Sequence, residues 1–247
     1  MKINDNVTVK TYEQSNLQLK LANLISKNNK NSTRFFNSDY MSSNVRKEII
    51  HKTLHVVFAE QSFKKETVYL CIAIIDSITS KYWFDDDMFE AISLVCLRLA
   101  LKLKEKDSKY LSLSFYEKKL ETFPNQYNEL EKIILKMLDF NLNIITPYDY
   151  INVFFEKSII FEDINIKDLQ NFANLISLLT YCVALEYDTN QFQSLAVAVC
   201  IIMVARHIFK CKNILCEDLE DFTGLSKDFL EPCYDKIMSI YKNIQIN

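Results

Sequence analysis

Residues 94–102 read LVCLRLALK, and residues 198–206 read AVCIIMVAR. The offset is 104 residues (198 minus 94), and it places Cys96 on Cys200 and Lys102 on Arg206. At the same offset Glu131-Lys-Ile-Ile lies over Asp235-Lys-Ile-Met. Similarity at a fixed offset is the mark of an internal repeat. Each copy of the repeated stretch is apolar all round, so it reads as a helix buried on every side by others. The spacing therefore predicts two helical units of about 100 residues, each built around a central helix and long enough to bury a core.

Working outward, helical periodicity predicts helices near 42–59, 65–80, 86–105, 111–118 and 126–139. A second set is predicted near 147–158, 167–185, 191–209, 215–222 and 227–243. Upstream, Leu17, Leu21, Leu24 and Ile25 share a helical face, and 26–34 (SKNNKNSTR) is a polar linker. Boundaries have chemical causes. Asp85-Asp-Asp87 offers caps and suits the positive end of the next helix, and Lys102, Lys104 and Lys106 suit its negative end. Thr146-Pro147 reads as a cap followed by proline at the first helical position. Gly224 lies just past a helix end, where a left-handed residue is expected, and Ser226 offers the next cap. Pro232 is expected to kink the last helix or delay its start.

Composition narrows function. The chain has one glycine where an average protein of 247 residues carries roughly 17. A dinucleotide fingerprint, a P-loop, a kinase glycine-rich loop and an EF-hand each require glycine at positions where this chain has none. The hydrophobic fraction of 49% and charged fraction of 25% are globular. A net charge of −3, with basic residues spread singly, argues against nucleic-acid binding. Seven cysteines lie scattered, mostly in apolar runs and never as Cys-x-x-Cys, so free thiols in a reducing compartment (nucleus or cytoplasm) are expected. No signal peptide or membrane span is expected; the longest apolar run is too short.

Enzymatic constellations are missing. His51 and His55 are four apart, as helix-borne zinc ligands are, but position 52 is lysine where a His-Glu-x-x-His site needs glutamate. No metal, cofactor or catalytic residue is expected. The segment 126–139 stands out. Leu130, Ile133, Ile134 and Met137 form the expected core stripe, while Glu131, Leu135, Leu138 and Leu142 line an adjacent face. That second face reads either as packing on two sides or as a seat for a partner helix.

Five further stretches, in order, resemble the cyclin family, most closely its mitotic A/B type. They are Tyr40–Ile49 (YMSSNVRKEI), Glu66–Asp76 (ETVYLCIAIID), Leu99–Glu105 (LALKLKE), Leu130–Leu142 (LEKIILKMLDFNL) with Thr146-Pro147, and Thr223–Cys233 (TGLSKDFLEPC). The resemblance implies an all-α chain of two tandem five-helix cyclin folds behind a short N-terminal helix. The expected divisions are 1–40, 41–143 and 144–247. It implies a non-enzymatic subunit that binds and activates a cyclin-dependent kinase, with substrate proteins as further partners. Arg46 and Asp76 would be the family's structural pair. Lys102 and Glu131 would hold the kinase αC helix, with apolar contacts from Leu103, Leu135 and Phe140. Val45, Ile49, Lys52 and Glu90 would be remnants of the groove that docks Arg-x-Leu substrates. Glu48, His51 and Lys52 depart from the family's pattern there, as does Lys104 from its acid. Transcription factor IIB and the retinoblastoma pocket, which share the fold, supply the alternative of a scaffold or transcription-associated module, and the altered groove that of a divergent cyclin that does not activate its kinase.

Overall fold

The computed structural model describes residues 43–58, 63–82, 84, 86–106 and 127–246. The N-terminal helix, the 111–118 helix and the cap at Asp85 lie outside them. Nine α-helices run through the described residues: α1 Ser43–Phe58, α2 Lys65–Thr79, α3 Asp86–Lys104, α4 Tyr127–Met137, α5 Pro147–Lys157, α6 Leu169–Leu185, α7 Ser194–Ile208, α8 Glu217–Thr223 and α9 Lys227–Ile246. Short 3-10 turns at Ile166–Asp168 and Tyr187–Gln191 precede α6 and α7. No strand occurs among the described residues.

The described residues divide into two compact units. One holds α1 to α4 through Thr146, together with Val183–Gln191; the other holds Pro147–Cys182 and the chain from Phe192 onward. In the first unit α3 packs against α1, α2 and α4. Phe89, Val95, Cys96, Ala100 and Leu101 of α3 are shut away from solvent. In the second unit α7 packs against α5 and α9, and every residue from Leu195 to Arg206 is buried. The two apolar stretches of the internal repeat are thus the two central helices, with Cys96 and Cys200 both fully buried.

The last matched pair of the repeat, Lys102 and Arg206, diverges in use. Arg206 is fully buried and ties loops of its unit: Nη1 donates to the carbonyls of Ile160 (3.0 Å) and Glu162 (2.8 Å), and Nε to that of Asn213 (3.0 Å). Lys102 is exposed. One position therefore fastens the core in the second unit and faces outward in the first.

Boundaries follow their chemistry. Pro147 opens α5 directly after Thr146. Gly224 closes α8 in the left-handed conformation (φ 68°, ψ 17°), its N–H donating to the Glu220 carbonyl at 2.7 Å. Two expectations need correction. Helix α7 starts at Ser194 and not near 191, because Tyr187–Gln191 forms a separate turn. Helix α9 does not start late; it begins at Lys227 and carries Pro232 inside. That proline sits near the helix start and is exposed, where its ring disturbs no buried packing.

Candidate functional site

Two clusters of polar side chains organise the first unit. The first is buried. Arg46 is 1% exposed, and Asp76 on α2 accepts from it twice, Nε to Oδ1 and Nη2 to Oδ2, each at 2.8 Å. A paired fork of this kind is the strongest geometry available to a guanidinium. Arg46 also donates to the carbonyls of Leu185 (Nη1, 2.6 Å) and Ala184 (Nη2, 3.0 Å). The Tyr187 ring lies 5.0 Å from its guanidinium, and Asn190 Nδ2 donates to Asp76 Oδ2 at 2.9 Å. Lys47 adds an ion pair to Glu186 at 2.5 Å. This cluster is why Val183–Gln191 belongs with α1 and α2 despite its distance along the chain. The motif readings place Arg46 and Asp76 together; they do not reveal the segment that the arginine also grips.

The second cluster lies where α3 ends beside α4. Glu131 uses both carboxylate oxygens: Oε1 accepts from Lys102 Nζ at 2.5 Å, and Oε2 from Arg98 Nη1 at 2.9 Å. Arg98 stands one turn before Lys102 on α3, which brings both cations to the same face. Its guanidinium lies 4.9 Å from the ring centroid of Tyr127, itself buried one turn before Glu131 on α4. Beyond Lys102, Glu105 accepts from the Lys64 N–H (2.9 Å) and the Thr67 hydroxyl (2.6 Å), capping the start of α2, while Lys64 Nζ donates to the Lys104 carbonyl. The C-terminal end of α3 is therefore held from two sides.

Large apolar side chains around this cluster face solvent. Leu103 is 52% exposed and Phe140 69%; Leu135 is half-buried. Ile133, expected in the core stripe, is a surface residue at 51% exposed: Leu130 and Ile134 fill the inner face, and Ile133 falls on the flank away from Glu131 and Leu135. Phe140 owes its position to unusual backbone. Asp139 and Phe140 are both left-handed (φ 50° and 55°), and the Phe140 N–H donates back to the Leu135 carbonyl at 2.8 Å. Two successive non-glycine residues in that region cost about 1–2 kcal/mol each. The unit thus accepts strain to close α4 with an exposed phenylalanine at its tip.

The residues expected in a substrate groove are placed differently. Ile49 is buried, Val45 half-buried, and Glu90 exposed. Lys52 is exposed and ion-paired with Glu48 at 3.1 Å, one turn back on α1. His51 and His55 are exposed on α1, and no group of three His, Cys, Asp or Glu side chains that could hold a metal occurs among the described residues. Likewise, no described helix is long and apolar enough to cross a membrane.

Sequence reasoning missed Arg98. Its signal was present, since arginine is an odd residue within an otherwise apolar central helix, four positions before Lys102. Only the placement of Tyr127 and Glu131 beside it shows why it is there.

With this geometry in hand, comparison with known proteins is specific. Residues 18–143 match the cyclin N-terminal domain and residues 145–246 the cyclin C-terminal domain. The chain belongs to the cyclin family. Among curated relatives, it is 30% identical over 100 residues to Cyclin-D5-1 of Arabidopsis thaliana (38% of this chain, 31% of that protein). It is 27% identical over 105 residues to Cyclin-D4-2 of Oryza sativa subsp. japonica (41% and 27%). The matched region spans less than a third of the length of either relative. A viral cyclin from herpesvirus saimiri shares the fold, with a TM-score of 0.61 at 12% identity, covering 81% of this chain and 85% of that one. The family expected from the motifs stands. Its A/B subtype does not follow, since these relatives are D-type.

Proposed function

We propose that this chain is a regulatory subunit that binds and activates a cyclin-dependent serine/threonine kinase in cell-cycle control, and has no catalytic activity of its own. The observation that carries this reading is the Lys102–Glu131 pair at the end of α3 and the face of α4, with exposed Leu103 and Phe140 and half-buried Leu135 as its apolar residues. A surface of that kind suits one amphipathic helix, and in a kinase the helix to be held is αC. An active kinase needs its αC glutamate paired with the β3 lysine and its activation loop displaced. A rigid surface that binds only the inward position of αC shifts that equilibrium. Near-complete activation requires about 5.5 kcal/mol of differential binding. Burying three large apolar side chains at about 1.5–3 kcal/mol each is of that size.

The Glu48–Lys52 pair supports a second part of the reading. Substrates of the complex would be selected without an apolar Arg-x-Leu slot on α1. The test is co-purification with candidate cyclin-dependent kinases, followed by a kinase assay. Binding and activation should fall sharply in the Lys102→Ala, Glu131→Ala double variant; unchanged binding and activation would mean the interface is elsewhere.

A further inference from the structure

Glu131 meets a partner as a carboxylate already paired on both oxygens. Lys102 occupies Oε1 and Arg98 occupies Oε2, and the Glu131 side chain is only 16% exposed. Arg98 is more enclosed still, at 12%, whereas Lys102 is 35% exposed. The three ionised groups sum to +1. Arg98 is fixed from two directions, by the carboxylate and by the face of Tyr127, an arrangement that a planar guanidinium suits and an ammonium does not. The excess positive charge therefore emerges at Lys102, next to Leu103, where the ammonium keeps donors to spare.

We infer that Arg98 is a positioning residue of the docking surface: it anchors Glu131 against α3 so that Lys102 can turn its donors to the partner. This rests on the kinase-docking reading above and adds the chemistry it selects. The apolar seat at Leu103, Leu135 and Phe140 takes a helix whose nearby polar groups are acceptors, either side-chain carboxylates or the open carbonyls of a helix C-terminal end. With Arg98 lost, the Arg98–Lys102–Glu131 cluster becomes neutral, and Glu131, no longer held by Arg98, competes with a partner for the charge of Lys102.

The experiment measures the dissociation constant of the full chain for a purified cyclin-dependent kinase at several salt concentrations, beside the thermal unfolding of the chain alone. Arg98→Met keeps the aliphatic stem and removes the charge. It is expected to weaken binding about tenfold, the worth of one charge-assisted hydrogen bond, and to flatten the salt dependence. Arg98→Lys keeps the charge but not the flat stack on Tyr127, so it should recover the salt dependence and only part of the binding, which a purely structural role would not require. If the methionine variant shows no cooperative unfolding, Arg98→Gln is read in its place, with at least about a threefold loss expected. Equal binding by the wild type and whichever uncharged variant folds overturns the inference, as does a lysine variant no better than the uncharged one. Phe140→Ala separates the two levels. Should it weaken binding while the uncharged Arg98 variant does not, the docking surface stands and the role of Arg98 is wrong. If the wild type binds no cyclin-dependent kinase, both fall.

Discussion

Asp76→Ala is the sharpest perturbation of the fold. The carboxylate accepts three hydrogen bonds, two from Arg46 and one from Asn190, all 2.8–2.9 Å. Removing it leaves Arg46, 1% exposed, with two carbonyl acceptors and the Tyr187 ring, but no counter-ion. Breaking a buried pair from one side costs about 3–5 kcal/mol, because the remaining charge is stranded. For a domain of this size, 1 kcal/mol moves the melting temperature by roughly 4–8 °C, so the first unit should melt at least about 12 °C lower. Replacing both partners, as Arg46→Met with Asp76→Leu, should cost less than the sum of the single changes, since no charge is stranded. It should not be neutral, because the Ala184 and Leu185 carbonyls lose their donor. Urea unfolding followed by circular dichroism gives the energies, and amide hydrogen exchange gives the location. Protection in Val183–Gln191 should drop in Asp76→Ala before protection in α7 does. A loss under about 1 kcal/mol, or unchanged protection in that segment, would refute the claim that this cluster holds the segment in place.

Three further outcomes follow from particular residues. Gly224 sits at φ 68° and an added Cβ would meet nothing within 4 Å, so Gly224→Ala should cost only the conformational penalty of about 1 kcal/mol, and Gly224→Asn less; a loss above about 3 kcal/mol in thermal unfolding would mean the packing there is misjudged. Burial holds the Cys71 thiol far above its ordinary range, with the Asp76 charge adding to it, and burial likewise raises Cys96. Above the ordinary thiol pKa of about 8.5 the unfolded chain sheds protons that the folded chain keeps, so this contribution is intact below that pH and is lost as pH rises. The stability of Cys71→Ala should therefore fall less steeply between about pH 8.5 and 10, by about 1.4 kcal/mol per pH unit; parallel slopes would contradict it. Thiol labelling of the native chain under mild conditions should reach the half-buried Cys182 and Cys211 first and leave Cys71, Cys96 and Cys200 unmodified until denaturant is added; early labelling of Cys96 would show that α3 opens readily.

What the sequence makes legible is whatever its own periodicity carries. The two central helices announce themselves as apolar stretches at a constant offset, and Thr146-Pro147 and Gly224 mark helix ends because proline and glycine have few other uses there. Lys102 and Glu131 are singled out through family resemblance as contacts of a partner helix; that they also pair with each other is seen only in the structure. What stays hidden depends on neighbours distant along the chain. Nothing local to residues 183–191 says that Arg46 grips their carbonyls, since a carbonyl leaves no trace in the sequence. Arg98 looks like a stray charge until Tyr127 and Glu131 stand beside it. Ile133 satisfies the helical core pattern yet lies outside, because α4 is packed by α3 along one narrow face. Lys102 and Arg206 match in the repeat and differ in role for the same reason: their surroundings, and not their own identity, decide which is buried.

Kinase docking on the surface at Leu103, Leu135 and Phe140 is tested most directly by titrating the purified chain into a panel of cyclin-dependent kinases while recording binding and phosphorylation of a peptide substrate. At least one kinase should bind and gain activity. Phe140→Ala should weaken both by about tenfold or more while leaving the melting temperature near its wild-type value, because that side chain is 69% exposed in the free protein. Failure of every kinase to bind, or full binding and activation by the Phe140→Ala variant, would contradict it.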